Sequence, residues 1–122
     1  MALDLATEEA VRRFIALIDD RYDVAEVIVF GSRARGTHRQ DSDADVAVLL
    51  RGPSQRALPV ALDMADAAFE VLLLKGVNIS PLPIWLEQWE ERQTHSNPSL
   101  LRNIEQDGVR LLPVAKPGLS PL

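Results

Sequence analysis

The most constraining feature of the sequence is a Gly-Ser pair held between two apolar runs. Residues 24–30, VAEVIVF, read as a strand rich in Val and Ile. Gly31 ends that strand, and residues 32–35 form the first turn of a short helix that stops at Gly36. A polar loop over 37–42 then leads into residues 43–50, DADVAVLL, a second strand. Being almost wholly apolar after its first residues, this second strand is expected at the centre of a sheet. Ten residues (33–42) separate Gly31-Ser32 from Asp43-Ala44-Asp45.

That order of residue types carries a chemistry. A strand that delivers Gly31 and Ser32 to a helix start brings unpaired backbone N–H groups to an anion, and glycine permits close backbone approach. The Ser32 hydroxyl is placed to reach a phosphate oxygen. Strand side chains alternate, so Asp43 and Asp45 point to one face. Two such carboxylates repel unless a cation lies between them, and Mg²⁺ is commonly held by one or two carboxylates plus substrate phosphates. An anion cradle beside a carboxylate pair is the minimum equipment for metal-assisted nucleotidyl transfer. Each half alone is ordinary: a Gly-Ser pair is often a turn, and an Asp-rich strand start often only aids solubility. The ordered combination is the specific signal.

The rest of the chain frames this segment. Residues 7–21 read as an amphipathic helix, with Val11, Phe14, Ile15 and Ile18 on one face and Thr7 as the N-cap. Residues 55–75 form a long helical pattern with Leu58, Leu62, Ala65, Phe69 and Leu72 along one stripe, and Phe69 and Leu72–Leu74 are read as core. Residues 77–84, VNISPLPI, read as an edge strand, because Pro81 and Pro83 donate no ladder hydrogen bond. Short helices are expected at 85–93 and 98–106, then a last short strand at 109–112. Trp85 and Trp89, four apart, are read as sharing one helix face, and His38 as an exposed loop residue. The division is one domain over 1–112 and a flexible Pro-rich tail over 113–122.

Composition narrows the class. The 122 residues contain no cysteine, which removes thiolate metal sites and cysteine nucleophiles. No apolar run approaches the roughly 18 residues of a membrane helix, and the expected location is the cytoplasm. The net charge of −5 argues against direct nucleic-acid binding. Eleven of the thirteen basic residues are Arg, and Arg33, Arg35 and Arg39 fall close together. Arg33 and Arg35 diverge on a helix, so at most one of them is expected on a triphosphate.

The pattern GSRARG…SDADVAV resembles the nucleotidyltransferase motif of the DNA polymerase β superfamily, Gly-Ser, ten residues, then Asp-x-Asp. The short length and the ending LLRNIEQDGVRLL resemble the minimal nucleotidyltransferase (MNT) antitoxins of HEPN–MNT toxin–antitoxin pairs. The resemblance covers about residues 7–112. It implies an α+β fold, a small mixed β-sheet with helices packed on one side. It implies transfer of AMP from ATP to a tyrosine of a partner HEPN toxin, which silences that toxin, within a hetero-oligomer. Gly31 and Ser32 would hold the phosphates, with Arg33 or Arg35 beside them. Asp43 and Asp45 would bind Mg²⁺, two ions by the superfamily pattern.

One position departs from that pattern. The superfamily usually supplies a third carboxylate from a neighbouring strand, and the corresponding place here falls near Asn78, with Ser80 on the same face. As a neutral residue, Asn78 offers at most a carbonyl ligand. Glu70 is a weak substitute for the third acid. Two readings therefore stand: an active AMP-transferring antitoxin, and an impaired one that neutralises its toxin by complex formation alone. A small-molecule nucleotidyltransferase is a third class, for which the chain has no room for an acceptor domain.

Overall fold

In a computed structural model of the chain, residues 3–111 are described. The elements run α1 (Leu5–Ile18), β1 (Val24–Phe30), α2 (Ser32–Arg35), β2 (Ala44–Leu50), α3 (Ala57–Lys75), β3 (Ile79–Trp85), α4 (Leu86–Glu90), a 3-10 turn (Arg92–Thr94), α5 (Pro98–Asp107) and β4 (Val109–Arg110). The four strands form one mixed sheet in the order β3-β2-β1-β4. β1 pairs antiparallel with β2 and β4, and β2 pairs parallel with β3. The expected mixed α+β sheet, central second strand and proline-bearing edge strand are therefore present. The tail over 113–122 lies outside the described residues.

Strand alternation sorts the side chains between two layers. Val27, Val29, Val46, Val48 and Leu50 face α1 and α3, where Phe14, Ile15, Ile18, Met64 and Val71 complete the main core. Burial of each large side chain there contributes about 1.5–3 kcal/mol. Ile28, Ala47, Leu49 and Ile84 face the other way and are covered by Trp89, Leu101 and Ile104 from α4 and α5. The two long helices thus share one face as expected, and a smaller second layer covers part of the other.

Three local expectations change. α1 is capped by Asp4, whose carboxylate accepts from the Thr7 N–H, and the helix ends at Ile18 rather than 21. The Thr7 side chain is buried, and its hydroxyl donates to Asp4 instead of capping. In α3 the sheet-facing residues are Val60, Met64, Ala67, Ala68 and Val71. Phe69, Leu73 and Leu74, expected in the core, are exposed, as are Leu58 and Leu62 of the same stripe, and Leu72 is only half-buried. The small Ala67 and Ala68 let the helix backbone approach the sheet, which the larger opposite stripe does not. Finally, Trp85 ends β3 in the α1–α3 core while Trp89 packs in the other layer, so the two share no helix face.

Candidate functional site

The Gly-Ser turn and the carboxylate pair meet at one end of the sheet. Gly31 follows β1 with φ 76° and ψ −156°, a backbone region open essentially to glycine alone. α2 starts directly after it, and the Arg35 N–H bonds the Gly31 carbonyl at 3.1 Å. A Cβ placed on Gly31 would fall 2.4 Å from Oδ2 of Asp45. Absence of a side chain at Gly31 therefore allows the Asp45 carboxylate to lie against the turn.

Asp45 shares its strand face with Ala47 and Leu49, the side covered further along by α4 and α5. Burial pushes its carboxyl above the usual carboxylate range, the neighbouring Asp43 charge pushes the same way, and Arg35 opposes both. An acid whose ionisation is opposed by burial and by a neighbouring carboxylate creates demand for a cation. The donor set is all-oxygen and anionic, which suits Mg²⁺ completed by phosphate oxygens. Among the described residues no group of three or more His, Cys, Asp or Glu side chains is placed to hold a metal.

Asn78, the candidate for the third-acid position, precedes β3 and reaches the site by its nitrogen. Its side-chain Nδ2 donates to Oδ1 of Asp43 at 3.0 Å, and its backbone carbonyl accepts from the Ala44 N–H at 2.8 Å. Through its nitrogen the amide acts as a donor that steadies the Asp43 carboxylate. Ser80 lies beside Asp45 in the β2–β3 register. Glu70 sits on α3 with Arg13 3.7 Å away, on the far side of the sheet, and is no substitute acid.

The arginines divide as the spacing required, and the structure decides which one turns inward. Arg33 is 4% exposed. It donates from Nε to the Ser42 carbonyl at 2.9 Å, from Nη2 to the Gln40 carbonyl at 3.1 Å and from Nη1 to Thr7 Oγ1 at 2.8 Å. It is thus spent on fixing the 37–42 loop to α1 and is not a phosphate ligand. Arg35 remains at the site and lines a cleft of about 470 Å³ between α2 and the α5–β4 turn, with Gln106, Gly108 and Arg110. His38 is not exposed: its Nε2 lies 3.4 Å from Asp4 Oδ1. Burial raises the Asp4 carboxyl, but the Thr7 hydrogen bonds and the His38 and Arg33 charges outweigh it and hold the group below its usual value. The Asp4–Thr7–Arg33 chain was not recognised from sequence. Its only signal was that two arginines on a short helix cannot face one ligand.

Residues 11–112 match the family described as nucleotidyltransferase domain. The chain belongs to that family. Over 60 residues the chain is 35% identical to a relative from Methanocaldococcus jannaschii that is named protein adenylyltransferase MJ1305, covering 49% of the chain and 41% of that relative. The aligned part thus spans about two-fifths of the relative's length. Solved structures share the fold. A nucleotidyltransferase of Sulfolobus solfataricus is 18% identical with a TM-score of 0.52, over 90% of this chain and 89% of that one. A toxin–antitoxin complex with AMP-PNP is 20% identical with a TM-score of 0.58, over 88% and 73%. A Shewanella oneidensis complex of tri-AMPylated HEPN toxin with MNT antitoxin is 15% identical with a TM-score of 0.56, also over 88% and 73%. No helix among the described residues is long and apolar enough to cross a membrane.

Proposed function

We propose that this nucleotidyltransferase is the antitoxin of a HEPN–MNT pair and transfers AMP from Mg·ATP to a tyrosine of its HEPN toxin. The observation that carries the reading is the packing of Asp45 against the Gly31 turn with Asp43 beside it. That contact supports reading the turn as a phosphate cradle and the two acids beside it as a cation site. The fold neighbours include HEPN–MNT complexes, which supports the choice of partner.

In this reading the Gly31–Ser32 turn binds the triphosphate and Arg35 adds a charge beside it. Asp43 and Asp45 hold Mg²⁺, which when bound neutralises charge on the reacting phosphates. Asn78 keeps Asp43 in place through the amide bond. The loop fixed by Arg33 carries the backbone into Asp43 and so sets the position of both acids. The phenol oxygen of the toxin attacks the α-phosphorus, pyrophosphate leaves, and the phenol proton passes to solvent. What the protein contributes is mainly positioning and charge neutralisation.

The neutral Asn78 at the third-acid position is the one observation that favours the second reading, neutralisation by occlusion alone. Intact-mass spectrometry of the toxin after incubation with this chain, ATP and Mg²⁺ separates the two. AMP increments that vanish in the Asp43→Ala, Asp45→Ala variant are the expected result. A stable complex with unchanged masses replaces transfer by occlusion.

A further inference from the structure

The outer face of α3 carries an apolar stripe that no described element covers. Leu58 is 66% exposed, Leu62 63%, Phe69 59% and Leu73 71%. Exposed apolar residues are normal when scattered singly, but contiguous patches mark interaction surfaces. Here Leu58, Leu62, Ala65, Phe69 and Leu72 recur at intervals of four, three, four and three. That is the 3.5-residue repeat that meets a second helix laid along the first at about 20°. From Leu58 to Leu72 the stripe runs about 21 Å. α3 is therefore apolar on two opposite sides, and its own sheet uses only one.

A charge at the edge of the stripe restricts what can cover it. Asp66 follows Ala65 directly and lies four residues after Leu62, at the flanking e position of the repeat. A second copy of this chain would bring another Asp66 and a further −5 of charge, and no Lys or Arg occurs between residues 57 and 74 to meet it. The neighbouring acids Asp63 and Glu70 already face Arg21 and Arg13 of the α1 side, at 3.9 and 3.7 Å. An acid flanking an apolar helix seam pairs with a complementary cation across the interface and penalises a partner that brings another acid there.

We infer that the outer face of α3 docks an amphipathic helix of the toxin, an apolar heptad seam with a Lys or Arg placed against Asp66. The inference rests on the reading that the chain pairs with a HEPN toxin. α3 packs on the side of the sheet opposite Asp45, so docking and transfer are separable by mutation. The helix ends at Gly76, two residues before Asn78, so a partner lying along it ends at the rim of the site.

The test uses the full chain, a Leu62→Glu, Phe69→Glu variant and an Asp66→Lys variant. Each is studied alone by light scattering and against a HEPN toxin, taken as the product of the adjacent gene where that gene encodes one, by calorimetry. The parent should be monomeric and should bind the toxin. The double variant should bind about a hundredfold more weakly, as loss of a central apolar anchor does. Asp66→Lys should bind about tenfold more weakly. Both variants should melt near the parent, because the substituted side chains face solvent. Unchanged toxin affinity in the double variant overturns the inference. So does a parent dimer that the double variant disperses, which assigns the face to a second copy. A parent that does not bind the toxin refutes the pairing itself. Weakened binding in the variants, with the toxin left unmodified by the parent, upholds the surface and removes only the transfer reaction.

Discussion

The side-chain amide of Asn78 donates to Oδ1 of Asp43 across 3.0 Å, where β3 begins beside β2. A third carboxylate at this place would add a ligand and a charge. The amide instead brings a neutral donor that holds the Asp43 carboxylate in place. In the proposed reading a bound cation would then have only the two carboxylates and the nucleotide as charged ligands.

Replacing Asn78 by Asp reverses that balance. Three acids then crowd one end of the sheet and the donated hydrogen bond is lost. The apo variant should melt below the parent, and its affinity for Mg²⁺ should rise on the order of tenfold with the added ligand charge. Thermal melts with and without Mg²⁺ read both effects. A variant as stable as the parent and no better at binding Mg²⁺ contradicts this role for Asn78.

Gly31→Ala tests the contact between turn and acid. The new methyl meets Asp45 Oδ2 at a distance no real Cβ adopts, and the backbone there is glycine-only. The expected cost is about 1–3 kcal/mol of stability. Loss of ATP-dependent labelling of the toxin should far exceed what that destabilisation explains. Urea unfolding and a labelling assay on the same preparation separate the two, and retained labelling contradicts the proposed cradle.

Arg33 and Arg35 should behave oppositely. Arg33→Met leaves two loop carbonyls and the Thr7 hydroxyl without their donor and should lower stability by about 2–3 kcal/mol. Arg35→Met should change stability by no more than about 0.5 kcal/mol, as at a surface position, and should weaken ATP binding. Denaturant midpoints together with nucleotide titrations check the pair. Equal destabilisation by both substitutions contradicts the division of roles.

Two pH responses follow from the carboxylates and Tyr22. Burial, then the hydrogen bond and charge of Asp63, push the Tyr22 phenol up to about 12. Because the folded value is raised, the corresponding stability is complete below the unfolded value near 10 and is lost as pH rises through about 12. Tyr22→Phe should flatten the alkaline limb of the stability profile.

Asp45 is likewise raised, so its ionised form opposes folding at neutral pH. Asp45→Asn should therefore melt above the parent at pH 7 while losing transfer. A lower melting temperature in that variant contradicts the electrostatic account of the site.

Much of this molecule was legible along the chain because local rules decided it. β1 reads from its β-branched residues, the turn from Gly31 and Gly36, the strand-face placement of Asp45 from alternation, and the edge position of β3 from Pro81 and Pro83. Other features depend on residues far apart in sequence. Nothing near Arg33 indicates that Thr7, 26 residues earlier, accepts from its guanidinium. Similarly, Asn78 meets Asp43 only because β3 returns parallel to β2.

α3 marks the boundary between the two kinds of information. The sequence by itself determined a helix, its end at Gly76 and an apolar stripe at Leu58, Leu62, Ala65, Phe69 and Leu72. The side turned to the sheet was decided by the tertiary structure. Val60, Met64, Ala67, Ala68 and Val71 form a second apolar stripe. When two faces of one helix are both apolar, periodicity cannot choose between them. The choice falls to packing, where small alanines allow the close approach that a sheet of Val and Ile requires, and the bulkier stripe is left facing outward.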